Sequence, residues 1–293
     1  MTKLMKSPAS AVAQGLAAPS AAPRSTLITV APNGAYKQRT DHPSLPLTAY
    51  ALAQEAKRCL DAGAGMIHLH VRTTSGEHLL DATAYAEATT AIHRAVGQSL
   101  VVQVTTEAGK RYAPAAQMAV VRSLRPEAAS FSIAELVPDA ASEVEAAAFF
   151  DWVRREGILP QYVLYSPADL ARYHDLKARG ILPGERDTVL FVLGRYAVGQ
   201  CSDPRDLLPF LTPLPEAGLH WSVCAFGPSE SACVLTAAAL GGHVRVGFEN
   251  NLWLADGRLA SDNAALVAQA HVGIRLAGRV AATADDVRGW KGN

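Results

Sequence analysis

The stretch Met66-Ile67-His68-Leu69-His70-Val71-Arg72 places two imidazoles two residues apart inside an apolar run. Residues two apart in a strand project to the same side, so His68 and His70 face one way. Neutral imidazole is a good zinc ligand, whereas two imidazoles side by side are poor packing material for an apolar strand. A pair of hydrogen-bonded core histidines is the competing reading. A second stretch, Gly241-Gly242-His243-Val244-Arg245-Val246-Gly247-Phe248-Glu249-Asn250-Asn251, sets Arg245, Gly247 and Glu249 on one face of an extended chain. Glu249 at its end can supply a third ligand. Two His and one Glu leave the open coordination positions that a catalytic metal needs. Arg245 can hold an anionic substrate or pair with a carboxylate. An internal Arg245–Glu249 salt bridge competes with that reading, because buried charges need partners either way.

These side chains need elements that aim them at one place. From residue 26 onward, short β-branched runs alternate with longer Ala/Leu-rich stretches at helical spacing, the pattern of βα units around a parallel sheet. The runs predict strands at 26–31, 66–71, 100–105, 128–133, 160–165, 188–193, 220–225 and 244–249. Helices are expected at 48–62, 82–96, 114–124, 142–156, 167–179, 204–211, 230–240 and 262–277. Thr48 suits a helix N-cap, Ser166 followed by Pro167 is a cap with proline at the first helical position, and Gly180 and Gly241 sit where C-terminal caps belong. The strands read as nearly continuous apolar runs, as strands buried on both faces do. The pattern predicts a (β/α)8 TIM barrel, whose active site lies at the C-terminal ends of the strands. His68, His70 and Glu249 all fall at such ends. An open doubly wound sheet would want a glycine-rich dinucleotide turn after the first strand, and Pro32-Asn33-Gly34-Ala35-Tyr36 does not fit one. Residues 1–25, rich in Ala, Ser and Pro and free of acids, are expected to be a disordered extension, with a transit peptide as the alternative. Residues 26–293 are expected to form a single catalytic domain.

The 293 residues carry 27 basic and 27 acidic side chains, and 49% are hydrophobic, so a large core is expected and neither nucleic acid nor an anionic membrane is favoured as partner. The four cysteines form no CxxC pair and no secretory signal precedes them, which suits reduced thiols in a cytoplasmic protein. No uninterrupted apolar run reaches the roughly 18 residues of a membrane span.

With these motifs in place, the chain resembles the beta-keto acid cleavage enzyme family. The likeness is carried by His68-Leu69-His70-Val71-Arg72, Gln103-Val104-Thr105-Thr106, Phe191-Val192-Leu193-Gly194, the 241–251 stretch, and Asp262-Asn263 with Leu266-Val267. It runs in order through nearly all of 26–285. The resemblance implies one zinc ion per chain on His68, His70 and Glu249, with Arg245 assisting the reacting acid and Thr105 as the hydroxyl of the third strand. It implies acetyl-CoA as co-substrate: a beta-keto acid and acetyl-CoA give acetoacetate and a new acyl-CoA. It also implies a homotetramer. In such chemistry a metal-chelated keto acid is acidified at the carbon between its carbonyls. The charge that develops on oxygen would be met by the metal and Arg245.

The sequence departs from the family at several points. Asn250 stands where an aspartate base follows the third ligand, and an amide cannot accept a proton. Glu107 and Glu135, at the ends of the third and fourth strands, are the carboxylates available as base. Tyr36 and Val163 stand where acidic side chains recognise a substrate amine, so the preferred keto acid is expected to be less cationic, unless Glu135 replaces that charge. Tyr36, Thr106 and Val163 are the expected substrate-binding positions. His42 after the first strand, the basic loop 107–112 and Arg195-Tyr196 after the sixth are further rim candidates, whereas His243 is expected at the barrel bottom. Competing functions are a metal-dependent aldolase, an amidohydrolase-type hydrolase and a ligand-binding homologue without turnover. Histidines on strands five and six, which the hydrolase pattern requires, are missing.

Overall fold

A computed structural model describes residues 24–184, 187–212 and 219–290. Most of the expected N-terminal extension therefore lies outside the described residues. Ser25, at its boundary, is already in a two-residue strand, Ser25–Thr26, that pairs with Val280–Ala281.

Eight parallel strands close into a barrel: β1 (Ile28–Val30), β2 (Met66–Leu69), β3 (Val101–Thr105), β4 (Ala128–Ser132), β5 (Leu159–Leu164), β6 (Thr188–Leu193), β7 (His220–Ala225) and β8 (His243–Val246). Each pairs with its successor in sequence, and β8 closes onto β1 through Val244↔Ile28, Arg245↔Thr29 and Val246↔Val30. This is the expected (β/α)8 architecture, and each of the eight expected strands overlaps one of these. The helices follow the prediction closely, with Ala82–Val96 and Pro114–Leu124 coinciding with it. Thr48 and Ser166 accept the backbone N–H groups of Ala51 and Asp169, and Gly180 and Gly241 take left-handed φ of 72° and 104°. The stretch Pro204–Leu211 is a 3-10 helix. Among the described residues no helix is long and apolar enough to cross a membrane.

Alternation along the strands explains both core and site. Outward-facing Ile67, Leu69, Val102 and Val104 pack beneath the helices in the main core. Inward-facing residues change character with height. At the bottom, Leu27, Met66, Val101, Ala128 and Leu159 form an apolar plug closed by Ala284 and Val287 of the C-terminal helix Ala284–Arg288. Two residues further along the same strands come His68, Gln103, Ser130 and Gln161, all buried and polar. A wall of Leu190, Val192, Cys224 and Phe226, with Val163 and Tyr165 against it, keeps one side of the upper interior apolar.

Three sequence expectations change in the structure. The strand predicted over 66–71 ends at Leu69, and Val71–Arg72 turns outward to pair antiparallel with His78–Leu79 in a rim hairpin. The strand predicted over 244–249 ends at Val246, so Glu249 is not on a strand. A short helix, Ile133–Leu136, follows β4 at once and carries Glu135.

Candidate active site

Each member of the His68–His70–Glu249 group is held by a different local device. His68 projects inward from β2 and its Nδ1 lies 2.7 Å from Gln103 Oε1, which can only accept, so Nδ1 carries the proton and Nε2 keeps its lone pair. Gln103 is oriented in turn by its Nε2 donating to Gln161 Oε1 at 3.3 Å. His70, just past the end of β2, is wholly buried. Glu249 reaches the group through a turn. Gly247 takes φ 135°, with its α-carbon so close to Ala31 that a Cβ would stand 2.5 Å from the Ala31 carbonyl oxygen. That break of the pleat is why the even spacing of 245 and 249 does not by itself set the direction of the Glu249 side chain. The turn is fixed by Glu249 N–H donating to Ala31 O at 3.0 Å and Phe248 N–H donating to Asn263 Oδ1 at 2.7 Å. Glu230, buried beneath it, accepts from Gly247 N–H and Asn251 Nδ2, both at 3.2 Å.

The three potential ligand atoms converge. His70 Nε2 lies 3.2 Å from His68 Nε2 and 3.4 Å from Glu249 Oε2, and His68 Nε2 lies 3.7 Å from the same oxygen. Ligands bound tetrahedrally at about 2.0–2.1 Å would stand roughly 3.3–3.4 Å apart, so the spacing fits a zinc-sized ion. Glu249 Oε2 is buried without a hydrogen-bond donor, an arrangement a cation would relieve. Among the described residues this is the one group of three or more His, Cys, Asp or Glu side chains placed to hold a metal.

The electrostatics agree with neutral imidazole beside an ionised carboxylate. Burial, assisted by Arg245, pushes the His68 imidazole down to about 3, so it is uncharged near neutrality. Burial works to raise the Glu249 carboxyl, but the buried Arg245 guanidinium outweighs it and holds Glu249 well below the usual range. Arg245 Nη2 donates to Glu249 Oε1 at 2.6 Å and its Nε donates to Asn250 Oδ1 at 3.3 Å. The internal salt bridge and the carboxylate ligand are thus compatible: one Glu249 oxygen meets Arg245 and the other faces the histidines.

Above this group a cavity of about 720 Å³ opens at the C-terminal ends of the strands. Of the expected site residues, Tyr36, Thr105, Glu107, Glu135, Val163, His68, Arg245 and Glu249 line it. Glu107 Oε2 lies 3.9 Å from His70 Nε2. Glu135 Oε2 accepts from Ala108 N–H at 2.9 Å, and burial together with nearby Glu107 raises its carboxyl. Thr105 Oγ1 accepts from Glu107 N–H at 3.1 Å, fixing the start of that loop. Asn250 sits behind Arg245, buried, with no partner for its Nδ2.

Thr106, the first residue past β3, does not join the cavity lining: its hydroxyl donates to Ser130 O at 2.9 Å. His42 is a structural residue, with Nε2 2.8 Å from Ala260 O and its ring against Phe248. Arg111 turns away to Glu77 at 3.2 Å, while Lys110 does line the cavity. His243 is at the barrel bottom as expected, accepting from Leu27 N–H at 3.0 Å and stacking on Trp290. The sequence reading missed Lys37, whose Nζ donates to Glu249 O at 2.8 Å from the loop after β1. It also missed Gln103 as the orienter of His68, although its place beside His68 in the barrel register follows from the strand assignments.

Comparison with known proteins agrees with this geometry. The family described as beta-keto acid cleavage enzyme matches residues 25–291. A 3-keto-5-aminohexanoate cleavage enzyme of Fusobacterium nucleatum is 29% identical over 273 residues, covering 89% of this chain and 96% of its own. A 3-oxoadipate:acetyl-CoA acetyltransferase of Cupriavidus necator is 26% identical, covering 91% and 94%. A 3-dehydrocarnitine:acetyl-CoA trimethylamine transferase of Rhizobium meliloti is 28% identical, covering 84% and 89%. Among solved structures, ObcA in a ternary complex with a C4-CoA adduct and oxalate superposes with a TM-score of 0.68 at 20% identity, covering 86% of this chain and 68% of its own, which bears on the fold alone. The order of the eight strands, the buried His–His–Glu group and the family match across the barrel together place the chain in the beta-keto acid cleavage enzyme family.

Proposed function

We propose that the chain is a zinc-dependent acyltransferase that converts a beta-keto acid and acetyl-CoA into acetoacetate and a new acyl-CoA. The observation that carries this reading is the convergence of His68 Nε2, His70 Nε2 and Glu249 Oε2 at tetrahedral-edge spacing beside the cavity at the C-terminal ends of the strands. Those three atoms would hold the ion. A bound zinc ion would polarise the keto acid and lower the acidity barrier at the carbon between its two carbonyls.

The chain's own residues would do the rest. Glu107, whose carboxylate is nearest the metal ligands, takes the proton from that carbon; Glu135, tied by one oxygen to Ala108 N–H, is the less favoured base. The carbon attacks the acetyl carbonyl, forming a C–C bond as the CoA thiolate leaves. The thiolate then adds to the original ketone carbon, the old C–C bond breaks, and the freed carbon takes a proton back from Glu107. Acetoacetate and the new thioester result, with atoms and charge conserved. Arg245, buried and permanently cationic, faces the oxygens on which charge develops, and Asn250 fixes its orientation rather than serving as base. Thr105, Tyr36 and Val163 shape the pocket around the acid.

Elemental analysis of the purified protein and of His68→Ala tests the metal. About one zinc per chain, lost in the variant, is expected. Product analysis with and without acetyl-CoA tests the reaction: acetoacetate and acyl-CoA formed only with the thioester support it. An aldehyde product formed without it would instead indicate an aldolase.

A further inference from the structure

Besides Arg245, three cations line the cavity: Lys110, which is exposed, and Arg195 and Lys37, which are partly buried. Arg195, from the loop after β6, makes cation–π contacts with two aromatic rings, its guanidinium carbon 5.0 Å from the Tyr36 centroid and 5.1 Å from that of Phe226. Its side chain is only 21% exposed, and its guanidinium makes no hydrogen bond to any described residue. Its nearest carboxylate oxygen, Glu107 Oε1, stands 3.6 Å away, beyond hydrogen-bonding distance. That ion pair with Glu107 is too long for a hydrogen bond, so the five N–H donors of the guanidinium keep no hydrogen-bond acceptor among the described residues and can still receive a second carboxylate. Lys37 is the second partly buried cation. It is half-buried, uses one of its three donors on the Glu249 carbonyl at 2.8 Å, and has no carboxylate oxygen within 4 Å among the described residues. Both line the same cavity as the metal group.

We propose that Arg195 and Lys37 form a second anion subsite that receives a carboxylate at the far end of the keto acid, making the substrate a beta-keto dicarboxylate. This rests on the acyltransferase reading above. The cation–π contacts with Tyr36 and Phe226 hold the guanidinium in the cavity, and its planar fork suits bidentate recognition of a carboxylate. The subsite is contiguous with the reacting end. Lys37 touches the backbone of a metal ligand, and Glu107, beside Arg195, has its other oxygen 3.9 Å from His70 Nε2. An anion there is within reach of a short chain whose first carboxylate lies at the metal. The phosphates of CoA are set apart from the thioester carbon by the whole pantetheine arm and belong further out. The apolar wall of Val163, Val192 and Phe226 would take the methylenes between the two ends.

The test is a panel of straight-chain beta-keto acids of matched length, with and without a terminal carboxylate, each assayed with acetyl-CoA on the metal-loaded protein. The diacids are expected to show at least tenfold higher kcat/KM. Arg195→Met and Lys37→Met, checked for folding by circular dichroism, should lower the diacid-to-monoacid ratio at least tenfold, mainly through KM for the keto acid. Arg195→Lys should restore only part of it, because the planar fork is lost. Monoacids turned over as well as diacids would overturn the proposal. So would variants that raise KM for acetyl-CoA and leave the ratio unchanged, which would assign the cations to the phosphates. Turnover of no keto acid would sink the acyltransferase reading instead. Calorimetry with unreactive straight-chain dicarboxylates and monocarboxylates then reads the subsite alone, and equal affinity would overturn it.

Discussion

Replacing Gly34 by alanine should disarm the metal group without touching a ligand. Gly34 has φ 58°, and a Cβ built on it would stand 2.5 Å from Glu249 Cγ and 3.1 Å from Glu249 Cβ. Ordinary carbon–carbon contact is about 3.5–4.0 Å, so the Glu249 side chain must retreat by roughly 1 Å. It has little room to do so, since one of its oxygens is fixed by Arg245 and its backbone by Ala31 and Lys37. A displacement of about 1 Å in a reacting assembly costs on the order of 10²-fold in rate. The left-handed backbone adds about 1–2 kcal/mol of strain for a residue with a Cβ. That corresponds to a fall in Tm of roughly 2–8 °C for a domain of this size. The assay has three parts: zinc per chain by elemental analysis after dialysis against a weak chelator, kcat for acetoacetate release, and Tm by circular dichroism. The expected pattern is a folded protein, slightly less stable, with metal retention and turnover both reduced. A Gly34→Ala protein that keeps a full complement of tightly held zinc and wild-type kcat would refute the assignment of Glu249 as the third ligand.

Other substitutions probe the supports around the same group. Gln103→Leu removes the acceptor that fixes the His68 tautomer, and zinc affinity measured by competition with a chromophoric chelator should fall about 10–100-fold. Glu107→Gln keeps the shape of the proposed base but removes its proton affinity, and should lower kcat by about 10²–10⁴-fold with little change in zinc content; a larger loss in Glu135→Gln would exchange their roles. Burial pushes the Glu230 carboxyl up to about 8, well above the usual carboxylate range. The folded chain then keeps a proton that the unfolded chain loses in that window. The stabilisation is complete below about pH 4.5 and is lost as the pH rises to about 8, by at most about 1.4 kcal/mol per pH unit. Urea unfolding of Glu230→Gln across this range should show a flatter pH dependence than wild type. An unchanged slope would mean that Glu230 ionises normally.

How much of this was legible in the sequence depended on whether regular backbone carried the residue. The eight strands, the barrel and the inward direction of His68 follow from alternation and spacing, and Gln103 lies beside it in register. His70, Glu249 and Glu107 sit just past strand ends, where the pleat no longer dictates direction. Their side chains converge because of Gly247, Gly34 and the Thr105 hydroxyl rather than because of any period. Thr106, also just past the end of its strand, is drawn away from the cavity by its hydroxyl's bond to the Ser130 carbonyl. Lys37 and Arg195 were invisible or undirected in sequence, since a lysine or arginine on a loop is usually solvated. Only the surrounding Tyr36, Phe226 and Glu249 carbonyl show where these two go. His42 looked like a rim residue by position but is spent on the Ala260 carbonyl.

The candidate metal group also straddles the seam where the barrel shuts. Its histidines come from β2, its carboxylate from beyond β8, and between them lies β1, only three residues long and paired with β2 at two positions. An ion shared by those three side chains would act as a clasp from an early segment of the chain to a late one, across the narrowest part of the wall. Loss of the ion would therefore be felt first as easier unzipping along β1, with faster amide exchange there than in the long ladders of β5 to β7. A chain cut short before Glu249 would lack the clasp altogether, however much of the remaining wall it could assemble.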